Sequence, residues 1–231
     1  MFLGHFGVAL AAKKVAPRAS LGVLVLAAQF ADLLWPIFLL LGWEQVRIAP
    51  GITRVTPLDF ISYPYSHSLV AQLLWGVALG AVYFAIRRDG RGAVVAGMCV
   101  ATHWVLDFAA HRPDMPMVPG GERYGLGMWN SLPLTLFVEF AIYGAGIAIY
   151  LKTTRAKDRV GIYALWALLI FLFVIYVSGA CGDAPPDVKA IAYITLTMWL
   201  LVPWAAWADK HRAVMNALAE RSPVKTRIAE L

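Results

Sequence analysis

What most constrains this chain is where its charges sit. Apolar runs of about 20 residues, the length that spans a ~30 Å hydrocarbon layer at ~1.5 Å per residue, alternate with short turns that hold most of the lysine and arginine. The runs are Ser20–Gly42, Ser66–Ile86, Gly92–His111, Ser131–Leu151, Val160–Ala180 and Val188–Ala208. Basic residues gather before the first run, between the second and third, between the fourth and fifth, and after the sixth. By the positive-inside rule this predicts an all-α, polytopic membrane protein of about six spans, both termini cytoplasmic. Only 15% of the 231 residues are charged and 60% are hydrophobic, against about a quarter charged in soluble domains. The net charge of +6 therefore reads as a topology signal, with no nucleic-acid partner implied.

No polar stretch is long enough to form a second domain, so residues 1–208 read as one integral-membrane unit and residues 209–231 as a basic cytoplasmic tail. Met1–Ala12 is apolar but too short to cross alone, and is expected to dip into the membrane as a half-helix. No cleavable leader is expected, because nothing basic precedes that stretch and Lys13 and Lys14, taken as part of a water-facing turn, follow it. Cys99 in the third run and Cys181 in a loop at the opposite face are too far apart for a disulfide. Pro36, which removes a backbone donor and clashes with the Asp32 carbonyl, suggests a cation site or a packed kink in the first span at the level of Asp32. The Trp43–Tyr65 loop has room for a short interfacial helix, Ser66 is a candidate N-cap for the second span, and the small residues of Gly144–Ala148 suggest close helix packing.

The third run ends in THWVLDFAAHRPDMP, Thr102–Pro116, which places His103, Asp107 and His111 four residues apart. Positions i, i+4 and i+8 share one helix face, and two imidazoles with a carboxylate suit Zn²⁺ and related ions. Ionisable groups in a span are costly to bury, so by default they mark a site. Counting from the basic turns puts His103, Asp107 and His111 about 18, 24 and 30 Å above Arg91, and Asp32 about 21 Å above Arg18. Glu139 and His67 reach similar heights, with His5 lower. The first four runs carry these groups, whereas residues 160–208 read as supporting scaffold. His211, among basic neighbours, reads as solvated. Arg112 and Asp114, just past the third run, suit a salt bridge or, for Arg112, a phosphate clamp.

Taken together, GHFGVALAAKK, ADLLWP, YSHSL and ATHWVLDFAAHRPDMP resemble the membrane-bound metal-dependent hydrolases, also described as LexA-binding, inner-membrane-associated hydrolases. The segment GLGMWNSLPLTLFVEF, with Trp129, Asn130 and Glu139, is similar to part of the same group. The resemblance covers roughly the first 140 residues, and HxxxDxxxHRPD is its most specific element. It implies a hydrolase distantly like zinc-dependent phospholipase C, with His5, Asp32, His67, His103, Asp107 and His111 as metal ligands.

Six ligands exceed what one tetrahedral zinc with an open position needs and suit two ions. The expected function is metal-dependent hydrolysis of a lipidic or phosphoester substrate reached from the outer half of the bilayer. The cofactor is one or two divalent ions, zinc first, and Glu139, Asp114 and Arg112 are the catalytic candidates. Two other classes fit the same residues: a metal-ion or proton transporter, and a membrane-anchored interaction protein whose polar groups only hold the bundle together. No nucleotide-binding glycine loop, GxSxG elbow or HExxH motif is present.

Overall fold

The fold was obtained as a computed structural model that describes residues 1–215. It is mostly helical. Helix α1 (Leu3–Val15) is followed by α2 (Leu21–Ala28) and α3 (Phe30–Leu40), and then by a hairpin of β1 (Gln45–Ile48) and β2 (Leu58–Ser62). A single turn, α4 (Pro64–His67), leads into α5 (Leu69–Arg87) and α6 (Gly90–Ala110). Strands β3 (Met115–Pro116) and β4 (Arg123–Tyr124) pair in the next loop, before α7 (Leu132–Thr153) and β5 (Thr154–Ala156). The chain continues through α8 (Arg159–Cys181), α9 (Val188–Leu196), a 3-10 turn at Thr197–Leu200, α10 (Leu201–Lys210) and β6 (Arg212–Val214), which pairs with β5. Five helical segments are long and apolar enough to cross a membrane, with α9 through α10 counting as one, and there are six if bent α2–α3 is included.

The first span differs from expectation. Its axis turns by 55° at Gln29, while Pro36 sits inside a helix that continues through it. A break at membrane depth frees backbone groups that lipid cannot satisfy, so it must be buried in protein. Here Ala28 O, at the break, accepts from His103 Nδ1 at 2.8 Å on α6. The bend and the candidate site are thus fixed by one bond. In the following loop a β-hairpin replaces the expected interfacial helix, with Val46 and Phe60 turned inward. The N-cap of α5 is Ser68, whose hydroxyl accepts from Ala71 N, and not Ser66.

Apolar side chains gain little by leaving lipid for one another, so packing between spans relies on close approach of small residues. Helix α1, about 20 Å long, is buried along most of its length and lies against α7. A Cβ added at Gly7 would lie 2.6 Å from Ile142 O, so only glycine permits this crossing. On α7 the contact is made by Gly146, whereas Gly144 has open space around it. Gly7→Val is expected to force the helices apart, at about 1–3 kcal/mol by analogy with overpacked cores. Thermal unfolding in detergent would show it as a lowered midpoint, and an unchanged midpoint would mean that the crossing is looser than described.

The basic ends of the bundle are less solvated than the sequence suggests. Lys13 is buried, with its ammonium 2.7 Å from Asp209 Oδ2 and 2.8 Å from Ala19 O, while Lys14 is exposed. Asp209, the last acidic residue of α10, also accepts from Tyr150 Oη at 2.6 Å and Leu21 N at 3.1 Å. His211 bonds Asp158 at 2.7 Å and is half-buried. Both cysteines are free, Cys99 buried and Cys181 exposed. Of the expected tail, residues 216–231 lie outside the described part of the chain.

Candidate metal centre

The chain brings His5, Asp32, His67, His103, Asp107 and His111 into one buried cluster from five segments. His5 comes from α1, Asp32 from the first turn of α3 and His67 from the end of α4. His103 and Asp107 lie one turn apart on α6. His111 is the C-cap just past α6, where the chain turns extended before Pro113. Its backbone is held there by Gly127 N, which donates to His111 O at 2.6 Å, and the Trp129 ring packs on its imidazole at 4.1 Å between centroids.

Asp107 is the hub. Its Oδ2 faces His103 Nε2 at 3.1 Å, His67 Nε2 at 3.8 Å and His111 Nε2 at 3.9 Å. Its Oδ1 meets His5 Nε2 at 3.1 Å and the Met1 amine. Asp32 Oδ1 stands 3.4 Å from His67 Nε2 and 3.8 Å from His103 Nε2. Donor atoms held by one ion at ~2.0–2.1 Å in a tetrahedron are separated by about 3.4 Å, and these spacings bracket that value. Two overlapping triads meet the geometry, His5–His103–Asp107 and Asp32–His67–His103.

The outer nitrogens decide what the inner ones can do. His103 Nδ1 donates to Ala28 O, and His111 Nδ1 donates to Asp114 Oδ1 at 2.9 Å. His67 Nδ1 donates to Ser66 Oγ at 2.7 Å, because that hydroxyl spends its own proton on Glu44 Oε2 at 2.6 Å. With each Nδ1 carrying the proton, each Nε2 presents a lone pair toward Asp107. This arrangement of a histidine oriented by an outer acceptor is the one metal sites use. His103 Nε2 is buried without a hydrogen-bond partner among the described residues. Three buried lone pairs and two carboxylates around one space suit a cation and little else. His5 is less completely oriented: its Nδ1 is buried without a partner, and its ring stacks on His103 at 3.7 Å and 2°. Together the ligand set fits a divalent ion.

The three residues expected to be catalytic take different positions. Glu139 on α7 accepts from Phe2 N at 2.9 Å and Gly4 N at 2.7 Å, so it anchors the start of α1 beside the cluster. Asp114 accepts from His111 Nδ1 and from Tyr63 Oη at 2.9 Å. Burial, reinforced by Asp114, pushes the Tyr63 phenol well above its ordinary range and keeps it a donor. Arg112 is held 2.7 Å from Asp59 Oδ1 and 3.5 Å from Asp114 Oδ2. It thus stands behind His111 as part of its support.

Glu44 and Tyr63 are supporting residues that the sequence does not single out, and Ser66, expected as an N-cap, instead links Glu44 to His67. Glu44 is buried and also accepts from the amides of Tyr65 and Ser66, each at 2.8 Å. Glu44→Gln returns a donor toward Ser66 and is expected to lower divalent-metal affinity about 10–100-fold while leaving the protein folded. A metal titration followed by thermal shift would measure this, and wild-type affinity would remove Glu44 from the support.

A cavity of about 720 Å³ opens onto the cluster. Asp32, His67, Asp107, His111 and Glu139 form its polar end, while side chains of α8, α9 and α10 form much of the remaining wall. The runs read as plain scaffold therefore border the site. Protein-family models, curated proteins and solved structures were each compared with the chain and none matches, so the chemistry of this site alone carries the functional reading.

Proposed function

We propose that the protein is a membrane-embedded, metal-dependent hydrolase that cleaves a phosphoester-bearing or other lipidic substrate. In this reading both termini are cytoplasmic and the site lies in the outer half of the bilayer. The observation that carries it is the acceptor behind each Nδ1 of His67, His103 and His111, which leaves their Nε2 atoms facing Asp107 beside an apolar cavity. His103 would hold an ion with His5 and Asp107, with Asp32 and His67, or with both sets in one or two sites, and His111 faces Asp107 Oδ2 from 3.9 Å. Imidazole and carboxylate ligands favour zinc, with manganese or iron as the other first-row ions such sites take.

A divalent ion held by these residues would supply Lewis-acid charge and lower the pKa of a water toward neutral pH. The chain contributes the rest. Asp32 is the most accessible carboxylate of the cluster, its side chain 23% exposed, and it borders the cavity where the substrate's polar group would lie. Glu139 also borders the cavity and is fixed by two amide donors, and each of its oxygens keeps a further lone pair. It is placed to take a proton from a water in the cavity. Arg112 and Asp114 act through His111 by holding its orientation. The apolar wall limits bulk water, which strengthens charge interactions inside.

Detergent-purified protein is expected to release p-nitrophenol from bis-p-nitrophenyl phosphate. Chelation should abolish the reaction and added Zn²⁺ or Mn²⁺ should restore it. Turnover that survives thorough chelation would contradict the reading. So would metal-driven flux in proteoliposomes with no hydrolysis of phosphate or carboxylic esters.

A further inference from the structure

The cavity is larger than the polar cluster needs, and its apolar part has a definite course. Helix α10 packs on α8 whereas α9 packs on α3, so α8 and α9 diverge and the cavity fills the gap between them. One wall carries Phe171, Ile175 and Gly179 of α8, and the facing wall carries Ile194, Met198 and Trp204. Ile194 to Trp204 covers about 15 Å along the helices, so the space is a slot rather than a bowl. Where α10 meets α8, the Phe171 and Trp204 rings close it at 5.5 Å.

Two of its wall residues, Ile194 and Leu200, are 67% and 68% exposed. Exposure of apolar groups on a membrane-spanning helix is exposure to lipid, so the slot communicates sideways with hydrocarbon. The 3-10 turn at Thr197–Leu200 interrupts the helix along this wall. Gly179 adds a second sign that the space is meant to be open. It lies on α8, where every residue but proline would be a better helix former, yet a Cβ there meets nothing within 4 Å. A glycine with no packing reason to be one leaves the slot unobstructed.

We infer that this slot binds one hydrocarbon chain of a membrane lipid, which enters between α8 and α9 and places its head group at the polar end formed by Asp32, His67, Asp107 and His111, where an ion held there would meet its negative charge. This rests on the hydrolytic reading for the head group, but the chain-binding half stands on the slot alone. The polar end holds the reacting ester and the slot supplies recognition of the tail. Substrates lacking a chain should bind through the head alone.

The test uses the full chain in lipid nanodiscs and non-hydrolysable n-butyl, n-hexyl and n-octyl phosphonates, with binding measured calorimetrically in the presence of Zn²⁺. Wild-type affinity for phosphonate added from water should rise with chain length, by up to about 4-fold per added methylene, and more steeply than uptake by protein-free nanodiscs. Gly179→Trp, at a wall position where a Cβ meets nothing within 4 Å, puts a large ring toward the slot and should flatten that dependence while butyl phosphonate still binds. His103→Ala should weaken all three phosphonates by a similar factor and leave the chain-length dependence intact. Equal wild-type affinity for butyl and octyl phosphonate would overturn the inference, as would an undiminished dependence in Gly179→Trp. If His103→Ala changes nothing while Gly179→Trp flattens the dependence, the metal reading fails and the chain slot stands.

Discussion

Asp107→Asn is expected to lower divalent-metal affinity by more than about 100-fold and to reduce hydrolysis to background. Loss of an outer hydrogen-bonding partner alone typically costs 10–100-fold, and Asp107 is the residue that every imidazole of the cluster faces. The change keeps the shape of the side chain but removes its charge. It also sets an amide N–H against lone pairs of His5, His67, His103 or His111, whichever way the amide turns. In the metal-free protein the substitution also strands the buried Met1 ammonium that Asp107 Oδ1 holds, so some loss of stability is expected beside the loss of metal. Metal should raise the unfolding temperature of wild type and leave that of Asp107→Asn unmoved. A variant that keeps metal-dependent turnover within a few-fold of wild type would remove Asp107 from the centre.

The second large effect is structural and lies far from the cavity. Lys13 and Asp209 form a buried ion pair that joins the end of α1 to the end of α10, with Tyr150 and Leu21 N as further donors to the carboxylate. Removing one member of such a pair strands the other charge and typically costs 3–5 kcal/mol. For a chain of this size that corresponds to a fall in unfolding temperature on the order of 10 °C. Asp209→Asn is the sharper variant, since it leaves the buried Lys13 ammonium with neutral acceptors only, Ala19 O among them. The double variant Lys13→Met, Asp209→Asn should recover most of the loss, because no unpaired charge remains buried. If the single variants lose less than 2 °C, the pair is solvated. Because α1 also carries His5, the single variants should further weaken metal binding by a few-fold.

Much of the architecture is legible because a bilayer imposes simple rules. Charges mark the turns, and the helices observed begin and end within a few residues of the runs read from sequence. The His103–Asp107–His111 face is legible for the same local reason, since helix periodicity alone aligns its residues. What escapes is whatever depends on a distant partner. The bend appears at Gln29 and not at Pro36 because His103 captures Ala28 O across 75 positions. Lys13 looks like a loop lysine until Asp209, 196 residues away, is folded against it. Glu44 likewise looks like one more loop acid, and only the fold sets it under Ser66 and His67. The role of α8 and α9 is hidden most deeply, because a slot is a property of how two apolar helices diverge and leaves no signature in either one.

The central claim is that the cluster around Asp107 is a divalent-metal centre, and elemental analysis of the purified protein addresses it most directly. Wild-type protein, prepared in detergent without chelator, should carry one or two equivalents of a first-row divalent metal per chain. His103→Ala, which removes the Nε2 shared by both triads, should carry well under half of that while remaining folded. Wild-type protein that holds no metal after incubation with zinc, manganese and iron salts would contradict the account, as would equal metal content in wild type and His103→Ala.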